Sequence, residues 1–250
     1  MSETARRLVV LLATLAGMAL TVRLGLWQLD RAAQKEALQA SRDERERLPP
    51  LDARDLASTP AELLRQTDRR VRLRGRWLAG ATVYLDNRPL NGRPGFFVVT
   101  PLRLEPGASA ADAVLVQRGW VARDPAERTR LPTVATPEGI DEVVGRVAGW
   151  PGRLYDFGGG ATGPIRQNID PVAYARESGL RLRPLSLVQL DEPGHTAKAQ
   201  ADGLLRQWPR PAVDIHKHYG YAVQWFALGA LMAGLYVWFQ VVRPRLGARG

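Results

Sequence analysis

The amino-acid sequence predicts an α+β membrane protein in which two transmembrane helices flank an external, mainly antiparallel β domain with short helices. Three observations support this fold class. Two long apolar runs lie near the ends of the chain, short segments of alternating apolar and polar residues lie between them, and Gly, Pro, Asn and Asp cluster between those segments. Because the strands follow one another without alternating helices, we expect a sandwich or a barrel-like sheet.

The first apolar run covers residues 8–29 and follows a short tail, residues 1–7. As a helix it would extend about 33 Å, which is enough to cross a hydrocarbon core of roughly 30 Å. Arg23 lies near its outer end, where a long side chain can reach the lipid headgroups. The alternative is a cleaved signal peptide or a twin-arginine signal beginning at Arg6 and Arg7, but the run has no clear small-residue cleavage site.

The second run, residues 219–242, contains no charged residue and is the stronger prediction of a transmembrane helix. Arginine exceeds acidic residues in both tails, 1–7 and 243–250, which predicts that both termini are cytoplasmic. Residues 30–218 then form an external domain, which is periplasmic in a bacterium and lies in the intermembrane space of a mitochondrion. We therefore expect a protein that crosses the plasma (inner) membrane twice.

The net charge and the absence of cysteine limit the kinds of partner and site that this chain can have. The chain carries 35 Lys and Arg against 25 Asp and Glu, a formal charge of +10. Such a balance suits nucleic acid or an anionic membrane surface, and the topology accounts for part of the excess, so we expect lipid and no nucleic acid as a partner. Cysteine is absent, which excludes a disulfide framework, a thiolate metal site and a thiol nucleophile.

Helix signals occur before and inside the external domain. Strong helix formers continue from the first run to residue 47, so we expect the first helix to extend into water or to restart as a polar helix. Thr59, Pro60 and Glu62 have the spacing of a capping box with proline in the first turn. Asp170 is placed to cap a short helix over residues 171–178.

The strand signals follow in order through the external domain. Apolar and basic residues alternate in residues 71–78, which predicts that Arg72, Arg74 and Arg76 lie on a solvated face of the sheet. We expect Trp77 and Trp120 to anchor strands in the core. The alternative is that these arginines bind propionates, phosphate headgroups or an acidic partner, since guanidinium groups pair with carboxylates and stack on rings. The predicted strands cover residues 71–78, 82–88, 95–104, 113–122, 141–150 and 185–192.

Signs of an enzyme are few. The sequence contains neither a G-x-S-x-G nucleophile elbow nor an H-E-x-x-H pair, and His195 is isolated. The glycine-rich stretch 157–164 lacks the Lys-Ser/Thr of a phosphate-binding loop, so we interpret it as a connecting loop. A carboxylate pair assembled by the fold stays open as an alternative.

The start of the second apolar run carries the most distinctive candidate site. On a helix, His218, Tyr221, Ala222, Trp225 and Gly229 share one face. This face offers an imidazole near water, aromatic flanks and small residues, which suits a haem whose iron is ligated by neutral imidazole. The alternative is an ordinary interfacial belt of aromatic residues with a polar histidine at its edge.

Small residues recur four positions apart in both apolar runs and predict close helix packing. The pairs are Gly229 with Ala233 and Ala230 with Gly234 in the second run, and Ala13 with Gly17 in the first. We expect the two helices to contact each other, although a partner's helix could occupy the same groove.

Four of these stretches, in this order, resemble the surfeit locus protein 1 family of membrane factors for cytochrome c oxidase assembly. They are LGLWQLDRAAQK at the end of the first run, YLDNRPLNGRPGFFVVTPL and VLVQRGWV in the external domain, and HYGYAVQWFALG at the start of the second run. The resemblance covers nearly the whole chain, from about residue 8 to residue 242. Departures from the family pattern include Gln224, where Thr is usual, and Ala122, where Pro is common.

The resemblance implies a non-enzymatic factor for haem-copper cytochrome c oxidase that binds haem a and delivers it to, or stabilises it in, subunit I. It implies His218 as the iron ligand, with Tyr221 and Trp225 lining the cofactor, and oxidase subunit I and other assembly factors as partners. His216 stands where an Asn pair is common and is a rival ligand. The alternatives are a cofactor-free scaffold for nascent oxidase subunits and a membrane-anchored periplasmic enzyme.

Overall fold

Both apolar runs form long helices. The structure, a computed structural model, describes residues 2–105, 112–155, 163–191, 202–208 and 215–247. Helix α1 covers Glu3–Arg47, so the expected polar extension of the first run is a direct continuation of the same helix. Helix α4 covers Ile215–Val237 and continues through a π-helical turn, Trp238–Val242, into helix α5, Arg243–Gly247.

The chain divides into two structural units. The helix pair comprises residues 1–41 and 210–250, and the β domain comprises residues 42–209. Within the helix pair, both helices are long and apolar enough to cross a membrane. Only 11% and 6% of their most apolar stretches are buried, whereas a core helix of a soluble domain would be mostly buried.

Helices α1 and α4 pack antiparallel through small residues, which confirms the predicted contact. A Cβ atom added at Gly229 would lie 2.9 Å from Thr21 Oγ1, and one added at Gly25 would lie 2.7 Å from the Phe226 ring. Glycine therefore permits an approach that any larger residue would prevent. Gly234, from the other predicted pair in α4, has no atom within 4 Å of its Cβ position and lies outside this contact.

The β domain is built on a closed ring of five strands. The ring strands are β1 Arg70–Trp77, β3 Gly95–Glu105, β4 Asp112–Ala122, β5 Ile140–Ala148 and β7 Arg181–Gln189. They are hydrogen-bonded in the order β1, β5, β7, β4 and β3, and β3 pairs back onto β1. The expected barrel-like arrangement is thus a barrel whose interior is filled by side chains such as Leu73, Leu102 and Leu187.

A second core covers one outer side of this barrel. The short strands β2, Val83–Leu85, and β6, Ile165–Arg166, extend the sheet from β3. Helix α3, Pro171–Ser178, begins at Asp170 as predicted, because the Asp170 carboxylate accepts the backbone N–H groups of Val172 and Ala173. Its residue Tyr174 packs in the second core and donates a hydrogen bond to the Ala81 carbonyl. This side of the barrel is therefore not open to solvent.

Other predicted elements are confirmed with changed limits. Helix α2, Pro60–Gln66, has the predicted capping box of Thr59 and Glu62. Most strand pairs are antiparallel as expected, but β4 pairs with β7 and β2 with β6 in parallel. Strand β7 begins at Arg181, earlier than predicted, because Pro184 lies where the β4–β7 register shifts, and a proline within a strand is tolerated at such a bulge.

Candidate functional site

The imidazole of His218 is held by a polar residue of the other helix. Its Nδ1 atom lies 2.7 Å from Gln28 Oε1, and His218 is half-buried. Gln28 belongs to the LGLWQ stretch at the end of the first apolar run, and His218 to the HYGYAVQW stretch at the start of the second. Two stretches far apart in sequence therefore meet in one contact of the helix pair.

This hydrogen bond determines the tautomer of the neutral imidazole. An amide oxygen can only accept, so Nδ1 carries the proton and Nε2 keeps its lone pair in the neutral ring. Histidine that ligates a metal commonly has this arrangement, in which the second ring nitrogen donates to an oxygen and fixes the ring orientation. Within the part of the chain that the structure describes, Nε2 has no hydrogen-bond partner.

Part of the predicted histidine face of α4 contacts α1, and the rest of it is accessible from outside the helix pair. Ala222 and Gly229 are buried, and a Cβ at Gly229 would meet Thr21 of α1. Trp225 is half-buried, whereas Tyr221 is 51% exposed. The face that the sequence offers as room for a cofactor is thus partly filled by α1, while Tyr221 lies on its open margin.

The two histidines at the start of α4 differ in their surroundings. His216 is exposed, whereas His218 is half-buried and bonded. The hydroxyl of Tyr219 donates to Glu36 Oε1 at 2.9 Å, which adds a second polar link between α4 and the polar extension of α1. His218 is consequently the better oriented of the two candidate iron ligands.

The arginine motifs of the β domain are used in packing. The Arg88 guanidinium donates to the backbone carbonyls of Gly152 at 2.7 Å and Gln167 at 3.1 Å. The Arg88 carbonyl accepts from the indole N–H of Trp120. Gly95 lies against the Trp120 ring, where a Cβ would overlap the ring carbons. The DNRP and QRGW stretches therefore hold each other, and Trp120 is buried in the core as predicted.

A buried ion network is the feature that sequence reasoning missed. Arg118 and Arg206 both bond to the Asp202 carboxylate, and all three side chains are nearly inaccessible to solvent. Arg118 also lies over the Trp77 ring at 4.9 Å from its centroid and donates to Thr136 Oγ1. Burial lowers the pKa of Arg118 and Arg206 lowers it further, while Asp202 opposes both effects.

This network fixes a short segment, residues 202–208, onto the barrel. The backbone groups of Leu205 and Trp120 exchange two hydrogen bonds of 2.8 Å. The Trp208 indole donates to the Gln189 carbonyl and lies tilted against the Phe97 ring, with ring centroids 5.3 Å apart. From the sequence alone, the charged residues at 202 and 206 would be expected on a solvated surface. Their burial is evident only in the folded structure.

Other candidate sites receive no support in the described part of the chain. Among those residues, no group of three or more His, Asp or Glu side chains could hold a metal ion. His195 and most of the glycine-rich stretch 157–164 lie outside the described residues. A haem requires one neutral imidazole nitrogen and apolar surroundings, and the chemistry of His218 between two apolar helices fits that requirement.

Comparisons with known proteins point to one family. The model of the SURF1 family matches residues 15–230. A SURF1-like protein of Drosophila melanogaster is 26% identical over 246 residues, which cover 91% of this chain and 76% of the relative. A SURF1-like protein of Dictyostelium discoideum is 29% identical over 115 residues, covering 44% of this chain and 41% of that relative's length. The resemblance carried by the four motifs is thereby confirmed.

Proposed function

This chain belongs to the SURF1 family, generally known for oxidase assembly factors, and on that premise we propose that it is an assembly factor that binds haem a for subunit I of cytochrome c oxidase. We further propose that α1 and α4 cross the plasma membrane, with both termini in the cytoplasm and the β domain in the periplasm. The apolar, mostly unburied surfaces of both helices and the basic tails support this arrangement.

The observation that carries the proposal is the hydrogen bond between His218 and Gln28. It orients a neutral imidazole whose Nε2 atom is available as an iron ligand. When bound, the haem would be held by that nitrogen. Trp225 and Tyr221 lie on the same helix face at two levels and supply apolar surface beside it. Gln28 acts here as a positioning residue, since it contacts His218 and would not contact the iron.

The decisive measurement is the visible spectrum of the protein purified from cells that make haem a. We expect a haem spectrum for the wild type and for His216→Ala, and its loss for His218→Ala. His216 is the matched control, because it lies two residues away on the same helix and is exposed. A wild type and a His218→Ala variant that are both free of haem would refute haem binding, and loss of haem with His216→Ala alone would move the ligand to that residue.

Gln28 offers a second test that does not depend on haem. In Gln28→Leu the ring loses its acceptor, so a nitrogen-15 spectrum of His218 should show a mixture of tautomers in place of the form protonated at Nδ1. Haem affinity should fall by about 10- to 100-fold, the usual effect of losing such a supporting contact. An unchanged tautomer would show that Gln28 does not orient His218, whether or not haem binds.

A cofactor-free scaffold is the competing function. It is favoured by Arg88 in the β domain, whose guanidinium already donates to two backbone carbonyls and so does not offer those N–H groups to a haem propionate. Crosslinking to oxidase subunits by a protein whose spectrum is bare would support the scaffold over the haem carrier.

A further inference from the structure

One outer side of the barrel is strongly basic. Strand β1 alternates so that its apolar residues point into the barrel and its arginines point outward, as predicted from the sequence. The ladder places outward residues of β3 and β5 beside them. This basic face consists of Arg70, Arg72, Arg74, Arg76, Arg103 and Arg146, with Glu105 and Glu142 as its acidic members.

Three of these six arginines have an acidic neighbour. Arg72 forms an ion pair with Glu142 at 2.6 Å, and Arg146 bonds to the Asp68 carboxylate. Arg74 lies directly across from Glu105 on β3 and from Glu142 on β5. The positive charge of the face is therefore largely balanced along the first part of β1.

Arg76 and Arg103 differ from the others. They are direct cross-strand neighbours, as Arg70 and Arg146 also are, but no acidic residue lies directly across from either Arg76 or Arg103. The other neighbour of Arg76 is Ile140 on β5, and that of Arg103 is Ala113 on β4. Neither has an ion pair or a side-chain hydrogen bond among the described residues, and Arg103 Nε is buried without a partner. Like charges placed directly opposite each other destabilise a sheet, so this arrangement has an unfavourable electrostatic free energy.

We propose that Arg76 and Arg103 form the docking site for an acidic segment of a partner protein. Two guanidinium groups side by side can each take a carboxylate through hydrogen bonds of their terminal N–H groups, which would offset their repulsion. Strand β1 has a hydrogen-bonded neighbour on each side, so recognition would use side chains rather than strand addition.

The acidic members of the face favour a peptide over a lipid surface. An anionic bilayer would meet the whole face, including Glu105 and Glu142, and would be repelled by both. A peptide with two neighbouring carboxylates can contact Arg76 and Arg103 alone. The inference does not depend on haem binding, because all of its residues belong to the β domain.

The test measures binding of a fluorescent peptide of alternating glutamate and serine to the full chain in a neutral detergent. For the double variant Arg76→Gln and Arg103→Gln we expect affinity to fall by about tenfold or more, as for loss of a charged hydrogen bond. The matched control is Arg128→Gln with Arg176→Gln, two exposed arginines outside the face, whose removal changes the net charge equally. The first variant should fold, because it removes a like-charge pair.

Two outcomes would overturn the proposal. Equal losses for both double variants would show that the peptide senses only net charge. The second outcome concerns lipid, and it uses a polarity-sensitive dye on Ile140→Cys, which is a unique labelling position because the chain has no native cysteine. A blue shift of the dye in bilayer discs containing phosphatidylglycerol, with none on adding the peptide, would assign the face to the membrane.

Discussion

The helix pair and the β domain both place polar groups in apolar surroundings, but they satisfy them to different degrees. In the β domain, Arg118 and Arg206 share the Asp202 carboxylate. In the helix pair, Gln28 satisfies only one nitrogen of His218. The first arrangement directs its hydrogen bonds inward and holds the barrel together, whereas the second leaves one nitrogen of a fixed imidazole available.

The difference shows which motifs of the sequence serve folding and which are free to serve chemistry. An arginine that donates to backbone carbonyls, as Arg88 does, cannot also hold a ligand with the same N–H groups. A histidine oriented by one hydrogen bond can still bind iron. Equal prominence in the sequence therefore does not mean equal function in the structure.

The largest effect is expected from breaking the buried network. Asp202→Asn removes the buried carboxylate that Arg118 and Arg206 share and leaves Asp191, which is more exposed, as a carboxylate for Arg206 alone, so the free energy of unfolding should fall by about 3–5 kcal/mol. Urea unfolding of the full chain in mild detergent, followed by tryptophan fluorescence, measures this change. The control is Glu127→Gln, whose ion pair with Arg130 is exposed and should contribute less than about 1 kcal/mol. Equal effects of the two variants would mean that burial does not strengthen the network.

The packing of the helix pair can be tested by substituting two glycines of α4. Gly229→Leu places a side chain against Thr21 and should weaken the pairing of α1 with α4 by about 1–3 kcal/mol. Gly234→Leu is the matched control, because nothing lies within 4 Å of its Cβ position. Unfolding in mixed micelles of increasing SDS content measures the difference. Similar curves for both variants would contradict the packing arrangement.

Much of the fold could be predicted from local signals. The capping box at Thr59, the Asp170 cap and the alternation around Arg74 are decided by residues near in sequence, so the pattern alone was sufficient. The predicted start of β7 was wrong, because a proline such as Pro184 usually indicates the end of a strand. The register shift that accommodates Pro184 depends on the neighbouring strand β4. The closure of β1 onto β3 likewise could not be read from either strand alone.

The candidate site was predicted only in part. His218 could be singled out because it lies at the edge of the apolar run. Its partner Gln28 is far away in sequence, and glutamine is too common in helices to indicate such a contact. Asp202 and Arg206 have the four-residue spacing of a surface ion pair, and only the packing of their segment on Trp120 buries them. Long-range contacts therefore account for what the sequence did not predict.

The smallest effect is expected at Tyr174, where the β domain satisfies a single neutral hydroxyl. Burial raises the pKa of Tyr174 to about 12, although Arg166 acts in the opposite direction. Since the folded state holds this proton more tightly than the unfolded state, the resulting stabilisation is complete below about pH 10 and is lost between about pH 10 and 12. Tyr174→Phe should cost about 0.5–1.5 kcal/mol at neutral pH, through the lost hydrogen bond to Ala81, and should flatten the decline of stability over that alkaline range. Urea unfolding from pH 7 to 12 measures both effects, and an unchanged alkaline decline in the variant would assign that decline to other groups.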